Sequence, residues 1–261
     1  MSLFSRITPA AVRDTLARAL ADVMDEQGAF AAERIAAEAE SFEDPTGDVQ
    51  AYTTEIAEPR VVDNYDKAAR VAYSRGASKG VLKVDRYPDR PLETVNAVML
   101  HQPGVVRSPE SLERTAHRFT CHALVAAGVI YRNYPLTTRL IAGHGADRLC
   151  RCVHIEVAGN YRGTPDGRYW QPDRMGMSVL DPATADALEH CVVMFMGEVE
   201  DAGGQLEYLW NHRQFSKSRA IDPGFEIARE GERIRRLHGL SNEGGRARGG
   251  LADPESWRVP A

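Results

Sequence analysis

The stretch from Asn211 to Gly224 holds the residues whose types and spacing are best suited to metal chemistry. His212 follows a short apolar segment, Leu206 to Trp210, and Asp222 stands directly ahead of a Pro-Gly turn. A catalytic zinc site needs three protein ligands of nitrogen, oxygen or sulfur type and keeps one coordination position open for water. This stretch can supply two of the three ligands, so the third must come from elsewhere in the chain.

His101 is the best candidate for the third ligand. It ends an apolar run that begins at Val95 and is bounded by Pro91 and by Pro103-Gly104. Such a run predicts a buried strand, and a polar residue at a strand exit is a common place for chemistry. A histidine in that position is also often a packed, hydrogen-bonded residue, and Asp-Pro-Gly is an ordinary turn. Spacing alone therefore leaves both interpretations open.

A carboxylate on the predicted strand from Cys152 to Val157 also needs an explanation. Alternation along this strand puts His154, Glu156 and Ala158 on one face and only apolar residues on the other. In a sheet covered by helices, a lone carboxylate is costly unless it is paired, hydrogen-bonded or near a cation. Glu156 is therefore a candidate functional residue, with a solvent-facing strand residue as the alternative.

Three patterns together resemble the type 2 N-acetylmuramoyl-L-alanine amidases. They are H-x9-D-P-G from His212 to Gly224, the strand-end His101 in Val-Met-Leu-His-Gln, and the block Ile141-Ala-Gly-His-Gly followed by His154 to Gly159. This family is related to the peptidoglycan recognition proteins, and its members are zinc enzymes that cut the amide between N-acetylmuramic acid and the L-alanine of the stem peptide. The resemblance covers roughly residues 92 to 230 and implies an α/β fold with a central mixed β-sheet flanked by helices.

The resemblance also implies a role for each matched residue. His101, His212 and Asp222 would hold Zn²⁺, and Glu156 would assist the attacking water. His144 matches a histidine beside the substrate groove and would bind substrate rather than metal.

One position departs from the family pattern. Many active members have a lysine or threonine two residues before the third metal ligand, where this sequence has Ala220. Lys217 is our candidate for the missing catalytic group, and Arg219 is a candidate for substrate contact in the same space.

The loop from Tyr161 to Met177 is rich in Gly, Pro and Arg and contains Tyr169 and Trp170. Exposed aromatic rings can stack on sugar faces, and neighbouring arginines can pair with carboxylates of a stem peptide. The same aromatic pair could instead pin a long loop to the surface. We take Tyr169 and Trp170 as candidate substrate-binding residues with that alternative open.

Three segments are expected along the chain. Residues 1–90 form a helical N-terminal extension and linker, in which residues 1–42 are suited to self-association or to docking a protein partner. Residues 91–240 form the amidase-like catalytic domain, because two prolines at 88 and 91 disfavour a regular element across that boundary. Residues 241–261 are rich in glycine and arginine and are expected to be a flexible tail.

Within the catalytic domain, helix starts are predicted at Ser108-Pro109 and Asp181-Pro182, where an N-cap residue precedes proline. A hairpin is predicted around Ala127-Gly128. Cys121, Cys150, Cys152 and Cys191 are expected to be buried thiols, because C-x-C is not the common zinc-knuckle spacing.

Composition excludes several classes of function. A formal net charge of -5 and a pI near 5.9 argue against nucleic-acid binding, which usually requires a basic domain. No stretch reaches the roughly 18 apolar residues of a membrane helix, and the amino terminus lacks the pattern of a secretory signal. We expect synthesis in the cytoplasm, with delivery to the cell wall by lysis or by a dedicated export or injection system.

The predicted function is zinc-dependent hydrolysis of the N-acetylmuramic acid to L-alanine amide in peptidoglycan or muropeptides, as in an endolysin. Two alternatives remain at this stage. One is a peptidoglycan-binding module without catalysis, against which the complete set of three matched ligands argues, although the departure at Ala220 favours it. The other is a structural or assembly protein of a phage-like particle that uses residues 1–90.

Overall fold

A six-stranded mixed β-sheet organises the computed structural model of the protein. Its strands are β1 Arg60–Asp63, β2 Ala97–His101, β3 Ala123–Ala126, β4 Val129–Arg132, β5 Cys152–Val157 and β6 Tyr208–Asn211. Their order across the sheet is β1-β4-β3-β5-β2-β6. Neighbouring strands are parallel except for β3 and β4, which form the predicted antiparallel hairpin. The expected α/β fold with a central mixed sheet is therefore confirmed.

The structure describes residues 58–68, 89–140, 151–163, 168–243 and 250–257. These ranges all belong to one unit, Ala57–Ala261. The predicted helices and partner surface of residues 1–42 lie outside the described residues, as do His144 and Cys150. No helix in the described ranges has both the length and the apolar character that crossing a membrane requires.

Helices pack on the sheet, and those at Pro109 and Pro182 begin where the sequence predicts them. The helices are α1 Pro109–Thr115, α2 Pro172–Met175, α3 Pro182–Asp201 and α4 Phe225–His238. The Ser111 N–H donates to the Ser108 hydroxyl at 3.3 Å, and the Thr184 N–H donates to the Asp181 carboxylate at 2.9 Å. These side chains satisfy backbone donors that a helix start leaves unpaired, and proline at the next position loses no hydrogen bond there.

The two faces of the sheet differ in character. One face packs on α3 and α4 and forms the main core, which includes Val153, Ile155 and Val157 of β5. The other face carries two smaller apolar clusters, one around Met99 and Trp210 and one around Leu124 and α1. The alternation predicted for β5 is therefore confirmed, and Glu156 lies on the face opposite to the main core. Cys121, Cys152 and Cys191 are buried thiols, as expected.

The expected boundary at residue 91 needs correction, because β1 belongs to the sheet. Its Arg60 N–H donates to the Gly128 carbonyl at 3.0 Å, and the Asn64 N–H that follows β1 donates to the Arg132 carbonyl at 2.7 Å. The strand is short and mostly exposed at the sheet edge. It therefore lacks the apolar alternation by which strands are recognised in a sequence.

The expectation of a flexible tail needs correction for residues 250–257. The Leu251 N–H donates to the Arg213 carbonyl at 2.9 Å, and the Asn211 amide donates to Asp253 at 2.8 Å. The Arg213 guanidinium lies 4.3 Å from the centroid of Trp257, which is only 2% exposed. The contacts of buried Trp257 thus order this segment although its glycine- and arginine-rich composition favours disorder. The segment packs on Asn211 and Arg213, the residues that flank His212.

Candidate metal and catalytic site

The sheet brings the candidate ligands together at one edge. β2 lies between β5 and β6 and is parallel to both, so the carboxyl ends of the three strands meet. His101 is the last residue of β2 and stands in register with Glu156 of β5. Leu100 stands in register with Asn211, so His212 emerges from β6 next to His101.

His101, His212 and Asp222 form a compact set of donor atoms. The Nδ1 atoms of His101 and His212 are 2.9 Å apart, and His212 Nδ1 is 2.8 Å from Asp222 Oδ2. His101 Nδ1 is 4.0 Å from Asp222 Oδ1. All three residues are buried, and theirs is the only such group found in the described ranges with ligand atoms within 4.8 Å of one another. Tetrahedral zinc with bonds of about 2.0–2.1 Å has donors about 3.3 Å apart, so these separations fit the ion.

The loop that carries Asp222 is held by Gln102, the residue directly after His101. The Gln102 N–H donates to Asp222 Oδ1 at 3.0 Å, and its side-chain amide donates to the Ile221 carbonyl at 2.7 Å. Gln102 Oε1 accepts from the Tyr161 N–H at 3.0 Å. Our sequence analysis missed this residue, although its place beside a strand-end ligand could have drawn attention to it.

His212 is fixed by its own turn. It opens the short 3-10 helix His212–Gln214, where the Asn211 N–H donates to the Gln214 side chain at 2.7 Å. The Arg213 N–H donates to the Asp222 carbonyl at 2.7 Å, which ties together the two ends of the loop between the ligands. The H-x9-D spacing therefore closes a loop and presents both side chains to the same point.

Two further histidines lie behind His101. His101 Nε2 is 3.0 Å from His154 Nδ1, and the His154 backbone N–H donates to His122 Nδ1 at 2.9 Å. His122 Nε2 is 2.9 Å from the Thr138 carbonyl. His122 is therefore bonded to the backbone on both sides and lies outside the group formed by His101, His212 and Asp222. Alternation in the sequence predicts that His154 lies on the same face of β5 as Glu156, but it predicts no role for His154.

Burial keeps three of the histidines, His101, His122 and His154, neutral. It lowers the pKa of His101 and His122 well below the usual value, with neighbouring positive charge and imidazoles adding to the effect. Burial, together with the charge of Arg90, lowers the pKa of His154 to about 3. Neutral imidazoles have a lone pair to offer, which is the form that binds metal.

Glu156 is placed where a carboxylate is costly without a cation. Burial and then repulsion from Asp222 raise its pKa well above the usual range, and the charge of Arg219 partly offsets them. Its Oε2 atom is buried and has no hydrogen-bond partner among the residues that the structure describes. An orphaned carboxylate beside two imidazoles and a second carboxylate fits a site built for a divalent cation.

The neutral histidines predict that the metal-free protein is acid-labile. An unfolded histidine takes up a proton near pH 6.5, whereas His101, His122 and His154 do so only at lower pH. The unfolded state thus binds more protons as the pH falls below about 6.5, and each such histidine removes up to about 1.4 kcal/mol per pH unit. Glu156 acts in the opposite sense, because its folded pKa is raised.

We expect the free energy of unfolding in chelator to fall by about 2 to 4 kcal/mol between about pH 7.5 and about pH 5.5. Urea titrations at the two pH values measure it. Equal midpoints and slopes would contradict the neutral, buried state of these rings.

The predicted Lys217 and Arg219 lie on the exposed 3-10 turn Lys217–Arg219 between His212 and Asp222. The charge of Arg219 lowers the pKa of both His101 and Glu156, so its guanidinium acts on the site. In the part of the chain that the structure describes, Lys217 makes no hydrogen bond or ion pair with the three candidate ligands.

The two predicted aromatic residues, Tyr169 and Trp170, lie in different surroundings. The Trp170 ring covers Gly104, three residues after His101: a Cβ on Gly104 would be 2.7 Å from that ring. Trp170 is 43% exposed, and its carbonyl accepts from Asn160 at 2.9 Å, so the residue both fixes its loop and presents a ring at the rim. Tyr169 is half-buried, and burial followed by Glu226 raises its pKa. Tyr169 is therefore affected by Glu226 of α4, whereas Trp170 lies beside the exit of β2.

No family model and no curated protein matches the chain. Among solved structures, the N-acetylmuramoyl-L-alanine amidase LysC from Clostridium intestinale is 15% identical, with a TM-score of 0.43 over 70% of this chain and 99% of that one. The Ph2119 endolysin from a Thermus scotoductus bacteriophage is 18% identical, with a TM-score of 0.38 over 66% and 99%. Drosophila PGRP-LB is 14% identical, with a TM-score of 0.43 over 70% and 97%. Amidases and peptidoglycan recognition proteins are thus among the solved structures to which this chain is similar. These are the proteins that its sequence motifs also resemble.

Proposed function

We propose that this protein hydrolyses the amide bond between N-acetylmuramic acid and L-alanine in peptidoglycan or muropeptides, with zinc as its cofactor. The observation that carries the proposal is the convergence of His101, His212 and Asp222, with ligand atoms within 4.8 Å. Glu156 stands in register beside His101 and supplies a carboxylate at the same sheet edge. The choice of substrate follows the motif resemblance.

Each residue has a distinct part in this proposal. Zinc held by His101, His212 and Asp222 would lower the pKa of a water molecule in its open position and polarise the scissile carbonyl. Glu156 accepts a proton from the attacking water and passes it to the departing alanine nitrogen. Burial favours this role, because a carboxylate with a raised pKa holds a proton more strongly than an exposed one.

Arg219 replaces Lys217 as our candidate for stabilising the oxyanion. Its charge acts on both His101 and Glu156, which flank the place where the negative oxygen would form. We expect Arg219→Ala to lower kcat by about 100-fold, the usual effect of removing one oxyanion donor. Lys217→Ala is the matched control, since it removes a cation from the same turn, and it should change kcat by less than about threefold. Steady-state kinetics on purified muropeptides measure both. A larger loss of kcat in Lys217→Ala than in Arg219→Ala would assign the role to Lys217 instead.

Trp170 is our candidate for contact with the glycan. Its ring is half-exposed and lies over Gly104 at the exit of β2, where a sugar bound beside the metal could stack on it. Tyr169, near Glu226, is the weaker candidate.

Mass spectrometry of muropeptides after incubation with the purified protein tests the proposal. The expected products are free stem peptides with a new alanine amino terminus, together with glycan that keeps its lactyl group. Chelator should abolish them, and added zinc should restore them. Muropeptide binding without these products would favour the binding module, and products of another bond would replace the proposed reaction.

A further inference from the structure

His154 is a buried imidazole that touches the metal ligand His101 from behind. A neutral imidazole carries its proton on one ring nitrogen and offers a lone pair on the other. The Nδ1 atom of His101 faces His212 at 2.9 Å, so this nitrogen must present the lone pair if His101 binds metal. The proton of His101 must then be on Nε2, and that proton needs an acceptor.

The acceptor that the structure provides is Nδ1 of His154, at 3.0 Å from His101 Nε2. Metal-binding histidines usually donate this second N–H to a carboxylate, a carbonyl or water. Both rings are fully buried here. A neutral imidazole therefore takes a place usually held by a carboxylate or carbonyl.

The surroundings of His154 favour the tautomer that accepts. Its Nδ1 faces the protonated Nε2 of His101 at 3.0 Å, whereas its own Nε2 has no hydrogen-bond partner among the described residues. A proton on Nε2 leaves the lone pair of Nδ1 for His101. The position of His154 is fixed as well, because its backbone N–H donates to His122 Nδ1 at 2.9 Å and the two rings stack with centroids 5.7 Å apart.

His122 continues the same chain. Since its Nδ1 accepts from the His154 backbone, its own proton must be on Nε2, which is 2.9 Å from the Thr138 carbonyl. His122 is thus fixed between the Thr138 carbonyl and the His154 backbone, and it helps to hold the position from which the His154 ring reaches His101.

We propose that His154 is a positioning residue that holds His101 in the tautomer with Nδ1 available to zinc. This inference rests on the metal site of the proposed function. It predicts that zinc affinity depends on a hydrogen-bond acceptor at the position of His154 Nδ1, and not on the imidazole ring itself. Losing such a partner typically costs about 10- to 100-fold in metal affinity.

Two variants separate the acceptor from the bulk of the side chain. His154→Leu fills the space without an acceptor, and His154→Asn places an oxygen near the position of the imidazole Nδ1. Zinc affinity is measured by competition with a chromophoric chelator, which needs no substrate and no catalysis. We expect His154→Leu to weaken zinc binding by about 10- to 100-fold and His154→Asn to recover most of it. Equal affinity in His154→Leu and the parent would overturn the proposal, as would an Asn variant no better than Leu.

The native protein provides a second measurement that does not depend on folding of a variant. Long-range ¹H–¹⁵N spectra of the zinc-loaded protein report which nitrogen of each histidine is protonated. We expect protons on Nε2 of His101 and of His154, and a proton on Nδ1 of His154 would overturn the inference. A parent protein that binds no zinc would instead refute the proposed function, so the two failures are distinguishable.

Discussion

Glu156→Gln should lower kcat for muropeptide hydrolysis by about 10²- to 10⁴-fold while leaving one zinc bound per chain. The carboxylate stands beside the ligand set, in register with His101, but is not one of the three converging ligands. An amide has nearly the same shape and cannot accept the proton. Steady-state kinetics and elemental analysis of the same preparation measure the two expectations. Parent-like activity in the Gln variant would remove Glu156 from the mechanism.

The same substitution should stabilise the metal-free protein at neutral pH. Burial raises the pKa of Glu156, so in the absence of metal its charge opposes folding increasingly as the pH rises above the unfolded value near 4.5. Gln carries no charge, and the gain should be about 1 kcal/mol, the order of the cost of one unsatisfied buried group. The gain should vanish below pH 4.5, where the carboxyl is protonated in both states. A substitution that stabilises the fold and abolishes activity would mark the carboxylate as retained for chemistry.

His212→Ala should lose the metal itself, and with it all measurable hydrolysis. His212 Nδ1 lies within 2.9 Å of both other ligands, so its removal leaves two donors, fewer than the three of a catalytic zinc site. Zinc content should fall from about one per chain to near zero, and zinc added after chelation should restore the parent but not the variant.

His238→Ala is the control for His212→Ala. His238 ends α4 and is 2.9 Å from Glu189, away from the ligand set. It also removes an imidazole, but zinc content and activity should remain those of the parent. Full zinc occupancy in His212→Ala would show that the ion binds elsewhere.

The proposed ligand set could be predicted from local signals taken together with the family resemblance, because spacing alone left it open. His101 ends an apolar run, and His212 and Asp222 bracket a loop that closes on a Pro-Gly turn. Parallel pairing of β2 with β5 and β6 then brings these residues together, because it places the carboxyl ends of the three strands at the same edge of the sheet. The capped starts of α1 and α3 were predictable for the same reason: capping is a property of a few consecutive residues.

Features that depend on contacts between distant segments could not be predicted. Alternation assigns His154 to a face, but only the register between β5 and β2 places its ring behind His101. Gln102 has no motif, and its role follows from three hydrogen bonds to distant loops. The choice between Lys217 and Arg219 depends on which way a 3-10 turn presents them, which composition does not encode.

The packing of residues 250–257 on the His212 turn links two equilibria. Leu251 and Asp253 hydrogen-bond to Arg213 and Asn211, the neighbours of His212, which is a proposed metal ligand. Any free energy by which a bound ion favours the ordered turn must also favour docking of this segment, and by reciprocity the docked segment must raise affinity for the ion by the same factor. In the proposed zinc enzyme, metal loading and the order of residues 250–257 would therefore report the same coupling.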